Sequence, residues 1–198
     1  MLCQRRLRAN PSATAVSSAV LAFVCAAATS APASAQRVGP QHRPSVYLQA
    51  AAAEHSSYAA TFGITLPWRD WQTSLWGAQV RGYWDLSLSQ WASDGAAGHR
   101  HTTVVEVTPS FRLVPDAGRS ALFLDAGIGA TWSSRRYIAQ DKAFSTSFNF
   151  ATHLGVGYAF GDQRQHELQL RLQHVSNGGI KKPNPGENFV QLRYALHF

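Results

Sequence analysis

The sequence predicts an all-β chain, an eight-stranded antiparallel transmembrane β-barrel. Three observations predict it. Beyond residue 35, eight segments alternate apolar and polar side chains with period two, the mark of strands with one apolar face. The opposite face carries Arg81, Asp85, Glu106, Arg112, Asp125, Glu167, Arg171 and Arg193, with small residues between them. The N-terminus has the composition of an export signal.

In chain order, the signal comes first. Arg5, Arg6 and Arg8 form a basic start, Ala15 to Ala28 an apolar stretch, and Ala33-Ser34-Ala35 a cleavage site. Residues 1–35 are therefore expected to be a signal peptide and residues 36–198 the barrel domain. A retained N-terminal helix is the alternative. Val24 stands where a lipid-anchored Cys25 needs a small residue, which excludes a lipoprotein. Both cysteines, Cys3 and Cys25, fall in the signal, so the exported part has neither a disulfide framework nor a cysteine metal site. Removing the signal leaves 15 basic against 11 acidic residues, a net +4, in place of +7. With no basic run longer than two, that excess gives nucleic-acid binding little support.

The eight strands are expected at about Ser45–Ala53, Tyr58–Leu66, Gln79–Gln90, Thr102–Leu113, Ser120–Ser133, Thr146–Phe160, Glu167–Ser176 and Asn188–Phe198. The seventh shows the pattern well: Leu168, Leu170 and Leu172 alternate with Glu167, Gln169, Arg171 and Gln173. A soluble lipocalin-like barrel would put the apolar face inside. A membrane barrel puts it against lipid and fills a narrow lumen with charges and glycines. An even strand count, an export signal and strands of the ~9–11 residues needed to cross hydrocarbon favour the membrane. The ending on Phe198, apolar at every second position back to Val190, resembles the terminal signature of bacterial outer-membrane barrels.

The connections set the orientation. Pro115-Asp116-Ala117-Gly118 and Gly161-Asp162-Gln163-Arg164 read as short periplasmic turns. Trp91–His101, Ser134–Ser145 and Asn177–Glu187 read as longer outer loops. Trp84, Trp91 and Trp132 suit interfacial belts. Eight strands leave room for side chains and not for a pore.

The chemistry concentrates in Gln173–Glu187. It holds a histidine, a serine two residues later and a carboxylate, the side-chain types of a nucleophilic hydrolase. His174 and Ser176 continue the outward parity of Leu168, Leu170 and Leu172 at the outer end of strand seven. Their backbones stand about 6.6–6.8 Å apart, a gap the two side chains can close. One reading leaves His174 merely interfacial, on a strand that has already cleared the hydrocarbon. The other is an esterase open sideways to outer-leaflet lipid.

His174-Val175-Ser176-Asn177-Gly178-Gly179, followed by Pro183-Asn184-Pro185-Gly186, closely resembles the His-x-Ser-Asn-(Ala/Gly)-Gly…Pro-Asn-x-Gly signature of the PagL family. The resemblance implies an enzyme of the bacterial outer membrane that removes the ester-linked 3-hydroxyacyl chain at position 3 of lipid A, the lipid anchor of lipopolysaccharide. It implies Ser176 as nucleophile, His174 as base, and Asn177 with the N–H groups near Gly178 and Gly179 as oxyanion donors. It implies no metal and no organic cofactor, and leaves a homodimer open. In the family pattern the acid lies fourteen residues after the histidine, where this chain has Asn188. Glu187 is expected as the third member, because only a carboxylate stabilises the imidazolium by charge. Asn188, outward by strand parity, is the alternative.

Lys181, Lys182, Arg135, Arg136 and Lys142 could meet lipid A phosphates or simply be solvated. His99 and His101 are two metal-capable side chains with no third in view, and His153 reads as structural in the lumen. A phospholipase and a non-enzymatic barrel for adhesion or membrane integrity are the competing functions.

Overall fold

A computed structural model describes residues 42–53, 57–95, 98–140 and 142–198. The expected signal peptide, residues 1–35, lies outside the described residues. Eight strands follow in order: β1 (Ser45–Ala53), β2 (Ser57–Leu75), β3 (Ala78–Gly95), β4 (Gly98–Val114), β5 (Leu122–Ser133), β6 (Phe148–Phe160), β7 (His166–Ser176) and β8 (Glu187–His197). Each pairs antiparallel with its neighbour, and β1 with β8 closes the barrel. Closure leaves no unpaired edge, as a spanning sheet requires.

The alternation follows the expected parity. Leu172 is 60% exposed and Leu168, Leu170, Val190 and Leu192 lie on the same outer face, while Glu167, Arg171 and Arg193 are buried. Inside, cations and anions pair. Arg112 bridges Glu167 at 2.5 Å and Asp125 at 3.3 Å, while Arg171 and Arg193 meet Asp85 at 3.1 and 2.8 Å. The Tyr47 and Tyr83 hydroxyls donate to Asp85 and Asp125 at 2.5 and 2.6 Å. This network fills the lumen with paired charges and their hydrogen-bond donors.

Three strands run longer than the alternation suggests. In β2 the pairing breaks between Pro67 and Gln72 and then resumes toward the turn at Trp76-Gly77. β3 and β4 stay paired out to Gly95 and Gly98, so the expected loop Trp91–His101 is mostly hairpin. This changes the place of Trp91. It follows Gln90 on a continuing strand, takes the inward parity and is 5% exposed, against 63% for Trp132 on the lipid side. Trp84 and Trp132 keep the outward orientation expected of belt residues; Trp91 does not.

Trp91 points inward against a plug. The segment between β5 and β6 folds into the outer mouth of the barrel. Its Tyr137, Ala139 and Phe144 are buried with Trp91, Val104, Val175 and Phe189. Tyr137 packs edge-on against Trp91 and Phe144 at centroid distances of 5.4 and 5.2 Å. A small internal hairpin, with Phe144 N–H donating to the Tyr137 carbonyl at 2.9 Å, holds it together. Ser93 Oγ anchors it to β3 through the Ile138 carbonyl at 2.8 Å. Ser134–Ser145 is thus an outer connection as expected, but an inward-folded one.

Candidate active site

The site stands where β6, β7 and β8 meet the outer connections. Register sets its members: His174 faces Asn188 across the β7–β8 pair, and Ser176 faces Phe150 across β6–β7. His174 lies exposed on the outer face and Ser176 half-buried one pleat further out. The two expected chemical residues therefore share one face at the outer end of their strand.

His174 Nδ1 is 2.7 Å from Asn188 Oδ1. An amide oxygen only accepts, so Nδ1 carries the proton and Nε2 of the neutral ring keeps its lone pair. Glu187 was expected to do this orienting and is not in reach. It is the adjacent residue on β8, its parity is inward, and it is fully buried on the lumen side. There its carboxylate takes Tyr137 Oη–H at 2.9 Å and Lys142 Nζ at 3.1 Å. The position fourteen residues after the histidine is the one that meets it, and an amide occupies it.

Asn177 also differs from expectation. Its buried side chain is spent on the loop: Nδ2 donates to Ser145 Oγ at 2.9 Å and to the Lys181 carbonyl at 2.8 Å. Its Oδ1 accepts the Gly179 N–H at 2.9 Å, and its own N–H donates to Asn184 Oδ1 at 3.0 Å. That leaves neither the Asn177 amide nor the Gly179 N–H for an oxyanion. Among the described residues, the Gly178 N–H and the Ser176 hydroxyl make no hydrogen bond. Gly178 is left-handed (φ 64°) and lies against the Phe150 ring, the residue across from Ser176.

Gly186 belongs to the sequence signature, but its place beside His174 does not show there. Its φ is +67°, and a Cβ there would stand 2.7 Å from His174 Cε1 and 3.3 Å from Nε2. Its backbone therefore forms the wall against which the imidazole edge rests, and only glycine fits. The signal for it was present: a glycine directly after Pro-Asn-Pro, where the chain must turn back into a strand.

Of the cations, Lys181, Lys182, Arg135 and Arg136 are exposed. Lys142 is not among them, because it is drawn into the mouth by Glu187. His99 Nδ1 sits 2.5 Å from Asp94 Oδ1 across the β3–β4 hairpin, and His153 Nε2 lies 3.1 Å from Asp125 in the lumen.

A closed eight-stranded barrel with a histidine and a serine on its outward wall, beside its outer loops, describes a class: the barrel hydrolases of the outer membrane. Comparison with known proteins narrows it. The sequence model of PagL, lipid A 3-O-deacylase, matches residues 56–197. A lipid A deacylase PagL of Bordetella bronchiseptica is 35% identical over 132 residues, 63% of this chain and 71% of that protein. One of Pseudomonas aeruginosa is 29% identical over 140 residues, 69% and 77% of the two chains. The crystal structure of the outer membrane enzyme PagL superposes with a TM-score of 0.65 at 25% identity, covering 78% of this chain and 99% of that one. The chain belongs to the PagL family.

Proposed function

We propose that this chain is an outer-membrane lipid A 3-O-deacylase that works by a Ser176–His174 mechanism, with Asn188 in place of an acid. Ser176 Oγ attacks the carbonyl of the acyl ester at position 3 while His174 Nε2 takes its proton. The tetrahedral oxyanion is met by the Gly178 N–H. Collapse breaks the bond to the sugar oxygen, which leaves with the proton from His174. Water, activated by the same nitrogen, then attacks the acyl-Ser176 ester and releases the 3-hydroxy fatty acid. The lipid-facing position lets an acyl chain reach Ser176 without leaving the bilayer.

The observation that supports this most is the Nδ1 contact of His174 with Asn188 at 2.7 Å. It leaves Nε2 as the nitrogen that can take the Ser176 proton. The test is mass spectrometry of lipid A after expression in a bacterium that lacks such an enzyme. Wild type should remove the 3-O-linked chain, while Ser176→Ala and His174→Ala should assemble as folded barrels and leave it in place. Loss of the chain in either variant would overturn the mechanism, and fatty acid released only from phospholipid would overturn the substrate.

A further inference from the structure

The contact that orients His174 is held from inside the barrel. Glu187 and Asn188 are consecutive residues on opposite faces at the first turn of β8. Here the irregular backbone after Asn177 becomes strand, and the outermost β7–β8 pairs are His174 with Asn188 and Val175 with Glu187. Such an end frays unless something holds it. Glu187 Oε1 accepts the Asn188 N–H at 3.1 Å and also Lys142 Nζ at 3.1 Å. Its Oε2 accepts from Tyr137 Oη at 2.9 Å, which lies 2.7 Å from Ser57 Oγ on β2. One buried carboxylate therefore joins the backbone of Asn188 to the mouth segment and, through it, to β2 on the other side of β1.

We infer that Glu187 is a positioning residue for the reaction: it fixes the Asn188 backbone from the lumen side, and so fixes the amide that holds His174. The mouth segment, buried inside the barrel, thereby sets how often His174 stands ready. This rests on the reading that Asn188 orients His174.

The experiment is a double-mutant cycle on the purified full chain, with kcat and KM measured on lipid A in detergent micelles. Glu187→Gln keeps the shape and removes the charge. In the wild-type background it should lower kcat about twofold or more, but by no more than Asn188→Ala does, with KM unchanged, as expected when a reacting group is slightly misplaced. In an Asn188→Ala background it should cost nothing more, because Glu187 acts only through Asn188. Neutralising Glu187 also changes the surroundings of Lys142, so Lys142→Met and the pair Glu187→Gln with Lys142→Met are measured alongside. Both should fold, by heat-modifiable gel mobility, and both should reproduce the kcat loss. An equal loss in the two backgrounds, a shift in KM alone, or full activity in the paired variant would overturn the inference. Full activity of Asn188→Ala by itself would instead overturn the orienting role of Asn188.

Discussion

Asn188→Asp should make the enzyme faster. The substitution is isosteric, exchanging Nδ2 for a second carboxylate oxygen while the 2.7 Å contact to His174 Nδ1 is kept. In the present protein a neutral N–H···O bond orients the ring, and such a bond contributes about 0.5–1.5 kcal/mol. As His174 takes the proton from Ser176 the ring becomes cationic. A carboxylate then makes a charge-assisted bond of about 1.5–3 kcal/mol, an advantage that exists mainly in the transition state. The difference is about 1.4 kcal/mol, or about tenfold in kcat. KM should hardly move, because Asn188 meets the ring and not the substrate. Fatty acid release from lipid A by purified wild type, Asn188→Asp and Asn188→Ala checks this. The Ala variant should fall about two- to tenfold. An Asp variant no faster than wild type, or an Ala variant equal to it, would refute the assignment of Asn188 as the orienting group.

Two other substitutions test different parts of the structure. Gly186→Ala places a methyl 2.7 Å from His174 Cε1 on a residue with φ +67°, so kcat should fall about a hundredfold while the barrel still assembles; assay of lipid A with a parallel gel-mobility check reads both. Arg112→Ala removes the cation shared by Glu167 and Asp125, leaving both buried carboxylates without their guanidinium, and should destabilise the barrel by about 3–5 kcal/mol in urea titrations.

The strand parity was legible because period two needs no tertiary information, and lipid outside with charges inside makes the two faces easy to tell apart. What failed lay at the strand ends. Ala92-Ser93-Asp94 shows no apolar alternation, because beyond the hydrocarbon the outward residues meet water and the inward ones meet the plug. The strand therefore looked finished at Gln90, and Trp91 looked like a belt residue. The plug itself has no period. Tyr137 and Phe144 fold inward only because Trp91 and Phe189 arrive from β3 and β8 to receive them. At the site, His174 and Ser176 followed from parity. Parity also points Asn188 outward, and the chemical preference for a carboxylate at Glu187 conflicts with it. The geometry sides with parity, since a one-residue step on a strand moves a side chain to the opposite face.

That step also explains how this chain tolerates a carboxylate and an amide in this order. Glu187 faces a mouth where Lys142 and Tyr137 compensate its charge. Asn188 faces the outer-leaflet boundary, where among the described residues its side-chain partner is His174. An ionised group there has no fixed counter-charge until His174 is protonated, and carries a desolvation cost that falls toward about 0–1 kcal/mol near the interface. An amide avoids that cost in the resting enzyme and gives up charge stabilisation in the transition state. The two effects fall on different measurements. Asn188→Asp should therefore raise kcat while lowering resistance to urea by up to about 1 kcal/mol. A variant that is both faster and at least as stable as wild type would show that the amide is no compromise between rate and membrane insertion.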